Sequence, residues 1–364
     1  MIVLPSLLIW LYLILAHGKF WQSAPELPAA SPPAFPDVDI IVPARDEADT
    51  IGPAIASLLA QDYSGKFRVL LVDDNSTDGT AALAGAAPRL AVISLQSKPC
   101  GWSGKLWALS QGVAESDAPV LLFTDADIVH DPRHLSSLVA KLLLSGTDLV
   151  SEMVHLNCSS LVERALVPAF VYFFQMLYPF NLVNDPRSRV AAAAGGTVLI
   201  RRAALQRIGG INAIKGSLID DVALARAVKA TGLIYLAHSG LAVSIRPYRK
   251  PGDIWHMISR TAFTQLRHSS VLLALTLFAL ALIWLVPAAA ILGGHGWPLW
   301  AGLIAFGLSA GSYLPTLARY GRTRLWSLLL PLIALFYMAA TLGSAIDYWR
   351  GRGARWKNRA YGSD

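Results

Sequence analysis

Cysteine occurs only twice in the chain, at Cys100 and Cys158, and neither lies in a Cys-x-x-Cys pair or a Cys/His cluster. No disulfide framework and no zinc site follows, and a reducing compartment is the simpler expectation. Charge is also scarce: Asp, Glu, Lys and Arg make up 15% of the 364 residues, well below the share usual for a soluble domain. Acidic side chains number 24 against 31 Lys and Arg, which gives a net charge of +7 and a pI near 9.5. The basic residues cluster beside apolar runs, the pattern of the cytoplasmic side of a membrane, and no nucleic-acid partner is expected. No internal repeat is present. Apolar side chains are abundant instead, at 54% with a mean hydropathy of +0.47. The composition is that of a membrane protein, and the length leaves room for one sizeable soluble domain.

Residues 1–21 read as an N-terminal membrane anchor. Met1–Ala16 is almost wholly apolar, with Trp10, Tyr12, Phe20 and Trp21 as interfacial aromatics and no Lys or Arg before His17, so an uncleaved anchor is preferred to a signal peptide. Residues 22–36 form a stiff linker, with five prolines between Pro25 and Pro36. From 37 to 245 the texture becomes an alternation of strands and helices. Strands are expected at Val38–Pro43, Phe67–Val72, Ala91–Leu95 and Val120–Thr124. Asp46 or Asp49 is a candidate cap for a helix bearing Ile51, Ile55, Leu58 and Leu59, and another helix runs from Leu106 to Val113. The βαβαβαβ order predicts an α/β domain, a mostly parallel sheet with flanking helices, whose strand exits gather on one edge. The loops there carry Arg45, Glu47, Asp73, Asp74, Lys105, Asp125 and Asp127.

The stretch Val120–Asp131 is central. A strand-forming run ends in Asp125 and Asp127, two carboxylates one residue apart, which suit a hard cation such as Mg²⁺ or Mn²⁺ held against a diphosphate. The plainer alternative is that either acid caps the following turn. Asp131-Pro132 is expected to open a helix with Pro at its first position, followed by a strand at Asp148–Val154. Ala165–Val183 is long enough to span a membrane but holds Pro168, Gln175 and Pro179, and is read as a membrane-facing amphipathic or buried helix. A strand at Gly195–Arg202, a helix at Asp220–Ala230 and a strand at Leu233–Ala237 complete the domain. His130, His134, His238 and His256 lack ligand spacing and are read as structural or surface residues.

Residues 246–268 form a basic segment interleaved with Trp255, Ile258 and Phe263, as in a helix lying on an anionic membrane surface. The membrane region 269–348 holds three apolar stretches, Val271–Leu292, Leu299–Leu317 and Trp326–Ile346. The basic tail 349–364 carries Arg350, Arg352, Arg355, Lys357 and Arg359. The loop with Arg319, Arg322 and Arg324 places the catalytic domain on the cytoplasmic side of the inner membrane. A full third span would put the tail outside, so either Pro331 marks a re-entrant segment or the tail violates the charge rule.

In order, IVPARDEADTI, LLVDDNSTDGT, GWSGKLWAL, FTDAD, AGGTVLIRR and IDDVAL resemble the inverting family 2 glycosyltransferases of GT-A fold, over about Asp39 to Leu224. The membrane layout, with LIDDVALA, FTQLRHS and RWKNRAY, is similar to bacterial hopanoid-associated glycosyltransferases, related to ceramide glucosyltransferases. The resemblance implies a nucleotide-sugar donor, typically a UDP-sugar, a lipid acceptor, and a divalent metal, Mg²⁺ or Mn²⁺. It assigns Pro43, Arg45 and Glu47 to the first nucleotide loop and Asp73 and Asp74 to the second, Asp74 contacting the base. Gly104 and Lys105 match the substrate loop, and Asp125 and Asp127 the metal-diphosphate motif, Asp127 being the more direct ligand. Asp221 occupies the position of the catalytic base. The family's Glu-Asp is here Asp220-Asp221, with a shorter first side chain. Trp102, Gly195 and Gly196 fall in donor or acceptor loops, Trp102 either stacking on substrate or packing its loop. The family's QxxRW motif is degenerate, with Arg260, or Gln265 and Arg267, as substitutes.

The chemistry has a physical rationale apart from the resemblance. Two hard carboxylates beside a diphosphate and one carboxylate positioned for the acceptor hydroxyl suffice for direct displacement. The plainer reading of Asp220-Asp221 is a helix N-terminal pair stabilised by the dipole, and of Lys105 a solvated first-turn lysine. Two rivals to the transferase are a haloacid-dehalogenase-like phosphatase or phosphotransferase using Asp125, and a non-catalytic nucleotide-binding membrane scaffold.

Overall fold

The computed structural model describes residues 2–352, 355–356 and 359–360. The described residues divide into two compact units, one built from 25–157 and 182–247 with 355–356 and 359–360, the other from 2–24, 158–181 and 248–352.

The first unit is built on an eight-stranded sheet. Its strands are β1 (Val38–Ala44), β2 (Phe67–Asp73), β3 (Leu90–Ser94), β4 (Val120–Thr124), β5 (Ile128–His130), β6 (Leu149–His155), β7 (Thr197–Arg201) and β8 (Ile234–Ser244), in the order β3-β2-β1-β4-β7-β6-β8-β5. Every residue of β1 and β4 is buried, which explains their unbroken apolar texture: strands covered on both faces have no polar side to alternate with. The helix Ile51–Leu59 buries Ile51, Ala54, Ile55 and Leu58, an i, i+3, i+4, i+7 stripe. Ile51, Ile55 and Leu58 join Val42, Val69 and Leu122 in the core, and each such side chain contributes roughly 1.5–3 kcal/mol by leaving water. The helix Gly104–Ala114 lies so close to the sheet that a Cβ at Gly112 would overlap Ile41 Cγ2.

The sheet is mixed rather than simply parallel. Among the described residues its pairings β1·β2, β1·β4, β2·β3 and β6·β8 are parallel, while β4·β7, β6·β7 and β5·β8 are antiparallel. The antiparallel β7 matters most, because Thr124 pairs with Thr197. This register brings the start of β7, with Gly195 and Gly196 before it, to the edge where β4 ends.

Several boundaries differ from expectation for identifiable reasons. Neither Asp46 nor Asp49 caps the first helix, whose N-cap is Thr50 without a side-chain bond. Asp46 instead adopts φ 50° and accepts the Thr77 N–H at 2.9 Å. Pro132 is not the first helical residue: the Asp131 carboxylate accepts the Arg133 N–H at 3.0 Å, this turn intervenes, and the helix spans His134–Leu144. The last strand of the domain does not stop at Ala237 but continues through His238-Ser239-Gly240 to Ser244. The short β5, absent from the sequence reading, pairs with that extension.

The second unit is helical. Three segments, Ser270–Gly293, Trp297–Arg319 and Arg324–Trp349, are long and apolar enough to cross a membrane. Pro331 sits in the first turn of the helix Leu330–Trp349, after a 3-10 turn, where it needs no amide partner and leaves the helix unbroken. The N-terminal helix Val3–Leu15 has 13 residues, about 20 Å at 1.5 Å per residue, against about 30 Å for a hydrocarbon core. It is tied to its neighbours by the Trp10 indole N–H, which donates to the Ile283 carbonyl at 2.8 Å, and by an edge-on Trp10–Trp284 contact. The helix Leu161–Leu177 starts at a Ser160–Glu163 capping box and contains Pro168. Tyr172 of this helix bonds Ser312 at 2.6 Å and Tyr337 donates to the Leu166 carbonyl at 2.8 Å, so it is packed among the apolar helices. Of the basic tail, Arg350 and Arg352 are described, Arg355 and Arg359 lie on the short paired strands Arg355–Trp356 and Arg359–Ala360, and Lys357 lies outside the described residues.

Candidate functional site

Parallel β1, β2 and β4 deliver their following loops to one edge of the sheet. The first two loops are stitched together. Asp46 N–H donates to Ser76 Oγ at 3.0 Å, Glu47 N–H to Thr80 Oγ1 at 2.8 Å and Ala48 N–H to Asp78 Oδ2 at 2.9 Å. Asn75 takes the left-handed φ of 55° that this turn requires. Arg45 donates to the Asp74 carbonyl and lies 3.6 Å from its carboxylate, while Ser76 donates to Asp73. Asp73 and Asp74 are both buried.

Lys105, in the first turn of the helix capped by Ser103, is not a solvated lysine. Its Nζ lies 2.8 Å from Asp125 Oδ1 and 3.4 Å from Asp220 Oδ2, with its side chain 18% exposed. Burial opposes its charge, but Asp125 and Asp220 outweigh that effect and hold its pKa above the ordinary lysine value. Asp125 is raised, chiefly by burial and by Asp127, against the pull of Lys105. Asp221 is pushed up to about 7 by burial and then by the charge of Asp220. Its Oδ2 accepts the Gly195 N–H at 2.9 Å.

These groups share one pocket with Pro43, Phe123, Thr124 and Gly195. Gly195 is there because of close approach: a Cβ on it would stand 3.3 Å from Asp221 Oδ2 and 3.4 Å from Lys105 Nζ. Gly196 packs against Val154, and its carbonyl accepts the Asp125 N–H at 3.3 Å. Trp102 makes an edge-on contact with Trp107, so it packs its own loop.

Asp127 is held from a direction the sequence reading missed. Ser244 Oγ donates to its Oδ2 at 3.2 Å, and Arg246 Nε donates to the same oxygen at 2.8 Å. Arg246 Nη2 also reaches both oxygens of Glu47 at 2.7 Å. Sequence placed Arg246 in a basic membrane segment, but the extended β8 carries it back to this edge of the sheet. Its one sequence signal was position, two residues past an apolar strand. Of the other proposed loop residues, Arg260 and Arg267 are exposed in the helical unit, and Gln265 there donates to Tyr178 Oη at 2.6 Å.

Asp125 and Asp127 fit a divalent cation as far as donor chemistry goes. They are hard carboxylates one residue apart, and Asp125, 36% exposed, lines the pocket. Among the described residues no cluster of three or more metal-ligating side chains is present. Such an ion would therefore depend on diphosphate oxygens and water for its remaining positions, as Mg²⁺ usually does.

A mixed α/β sheet with acids at the carboxyl ends of β1, β2 and β4, and a lysine among them, defines the GT-A class of domain. Residues 39–209 match the model of Glycosyl transferase family 2. Within known proteins, the succinoglycan biosynthesis protein ExoU of Rhizobium meliloti is 33% identical over 122 residues, covering 32% of this chain and 33% of that protein. The beta-monoglucosyldiacylglycerol synthase of Synechocystis is 32% identical over 208 residues, covering 54% of this chain and 40% of that protein. The chain thus spans well under half the length of either relative. In three dimensions it is similar to the mannosyltransferase PcManGT from Pyrobaculum calidifontis, solved with GDP-Man and Mn²⁺, with a TM-score of 0.58, 20% identity, and coverage of 95% of this chain and 98% of that one. The match to that family model favours the transferase over the phosphatase alternative.

Proposed function

We propose that the chain moves a sugar from a nucleotide-sugar donor, a UDP-sugar by its resemblance, to a lipid hydroxyl at a membrane surface, with inversion. The observation that carries this reading is the placement of Lys105 between Asp125 and Asp220, with Asp221 on the same pocket wall and its carboxyl raised to about 7. Asp125 on the diphosphate side and a base for the acceptor then face one cavity.

In this reading Pro43, Arg45, Glu47, Asp73 and Asp74 form the nucleotide side, with Arg45 covering Asp74. Asp125 and Asp127 hold Mg²⁺ or Mn²⁺, which when bound supplies Lewis-acid neutralisation of the departing diphosphate. Lys105 adds a fixed positive charge near the same oxygens, and Asp220 keeps it in place. Asp221 takes the proton of the acceptor hydroxyl as the new bond to the sugar's anomeric carbon forms and the bond to the diphosphate breaks. A pKa near the working pH suits a general base. One carboxylate base and no carboxylate nucleophile correspond to a single displacement, hence inversion.

The acceptor assignment is supported by three membrane-length apolar segments and by the diacylglycerol named in the cyanobacterial relative. A hopanoid is proposed by resemblance. The basic loop of Arg319, Arg322 and Arg324 supports a catalytic domain on the cytoplasmic face of the inner membrane. The direct test of the base is Asp221→Asn. It should lower turnover by about a thousandfold or more, within the range for loss of a base and its positioning, while donor affinity by calorimetry changes little. Unchanged turnover would remove Asp221 as the base, and donor binding with no turnover in the unsubstituted chain would favour the non-catalytic scaffold.

A further inference from the structure

Beneath the pocket runs a buried polar chain that the chemistry above does not use. Thr124 ends β4, His130 ends β5, His134 opens the next helix four residues later, and Glu152 lies in β6. Their relative exposures are 1%, 3%, 1% and 0%. Thr124 Oγ1 is 3.1 Å from His130 Nε2, His130 Nδ1 is 2.9 Å from His134 Nδ1, and His134 Nε2 is 2.5 Å from Glu152 Oε2.

The proton order follows from one end. Thr124 has a single hydroxyl proton and donates it to the Gly196 carbonyl at 2.9 Å. It must therefore accept from His130 Nε2–H. Burial, with the neighbouring His134 adding to it, drives the His130 pKa well below its ordinary value, so the ring is neutral and its Nδ1 is bare. His134 Nδ1–H donates to that nitrogen. His134 Nε2 and Glu152 Oε2 then share one proton. From His134 to Gly196 the bonds all point the same way, and such aligned chains stiffen one another. Glu152 Oε1 has no hydrogen-bond partner among the described residues, a costly arrangement for mere packing.

The chain ends where the two halves of the site meet. The Gly196 carbonyl accepts both Thr124 Oγ1–H and the Asp125 N–H, and the adjacent Gly195 N–H holds Asp221 Oδ2. We propose that Thr124, His130, His134 and Glu152 are positioning residues that fix the backbone segment Gly195-Gly196, and through it the distance between the diphosphate-side Asp125 and the base Asp221. This rests on the site reading given above.

Thr124→Val keeps the side-chain shape and removes the hydroxyl; Thr124→Ser restores it. In the full chain in detergent, the valine variant should fold, keep donor Kd within about threefold and lose about 30-fold in kcat, with serine recovering to within about threefold, since small displacements of reacting groups cost this much. An unchanged kcat, a donor affinity that falls as far as kcat, or a serine variant no better than valine would overturn the proposal. Two readouts need no sugar transfer. Side-chain ¹⁵N spectra should show His130 as the neutral Nε2–H tautomer, and Thr124→Val should shift the Gly195 amide resonance. A doubly protonated or Nδ1–H His130, or an unmoved Gly195 amide, would overturn the positioning chain. Expected spectra without any sugar transfer would instead reject the site reading and leave the chain standing.

Discussion

Arg246 Nε lies 2.8 Å from Asp127 Oδ2, and the same guanidinium binds Glu47. One cation thus ties the first loop to the second acid of the Asp-x-Asp pair. A divalent ion at Asp127 would compete with it. Two unit charges about 4 Å apart interact by roughly 4 kcal/mol at an effective dielectric near 20, and solvent screening of the part-exposed guanidinium leaves a fraction of that. Arg246→Ala should therefore bind Mn²⁺ about tenfold more tightly in the absence of donor, by paramagnetic resonance titration. Equal or weaker binding would show that Arg246 and the metal do not share Asp127.

The pH dependence follows from Asp221. As a base it must be ionised, and burial and then Asp220 push its carboxyl up to about 7. Plotted against pH, kcat/KM should rise to a plateau just above that value. Asp220→Asn removes a like charge and should move the limb down; Lys105→Met removes an opposite charge and should move it up, each by on the order of one unit. Shifts of the same sign in both variants would contradict the assignment. Stability has the opposite slope to a salt-bridged acid: because the folded-state pKa lies above the ordinary aspartate value, this group's contribution is fully present below about 4 and is lost as pH rises through about 7. Asp221→Asn should flatten that part of the melting-temperature profile.

Gly195→Ala tests the crowding of the pocket. The new methyl would meet Asp221 Oδ2 at 3.3 Å, tighter than usual, and Lys105 Nζ at 3.4 Å, the edge of ordinary contact, so Asp221 must give way. Turnover should fall about ten- to a hundredfold through displaced catalytic groups, with the melting temperature nearly kept. Full activity would mean that Gly195 does not set the separation of Asp221 and Lys105.

Strands β1, β2 and β4 were legible because well-covered strands leave continuous apolar runs, and the exits of β2 and β4 were legible because Asp73, Asp74, Asp125 and Asp127 end those runs abruptly. The antiparallel insertion of β7 was not, since its sequence resembles a parallel strand and only the pairing of Thr124 with Thr197 reveals its direction. The length of β8 was hidden by His238-Ser239-Gly240, polar residues that are buried there apart from the glycine. That error carried Arg246 into a membrane segment. His130 and His134 were read as structural for want of ligand spacing, and their link to Glu152 depends on β6 lying beside a helix, which no local pattern encodes. Helix starts slipped at Asp46 and Asp131 because both carboxylates serve turns rather than helix caps.

The central claim is sugar transfer to lipid by this site. Purified full chain with Mg²⁺ or Mn²⁺ is incubated with radiolabelled UDP- and GDP-sugars and membrane lipid extract, and the label is followed into the organic phase. The account predicts a labelled lipid with one donor, lost with Asp221→Asn and with Asp125→Asn. Donor binding without a labelled lipid from any sugar, or labelling that survives Asp221→Asn, would contradict it.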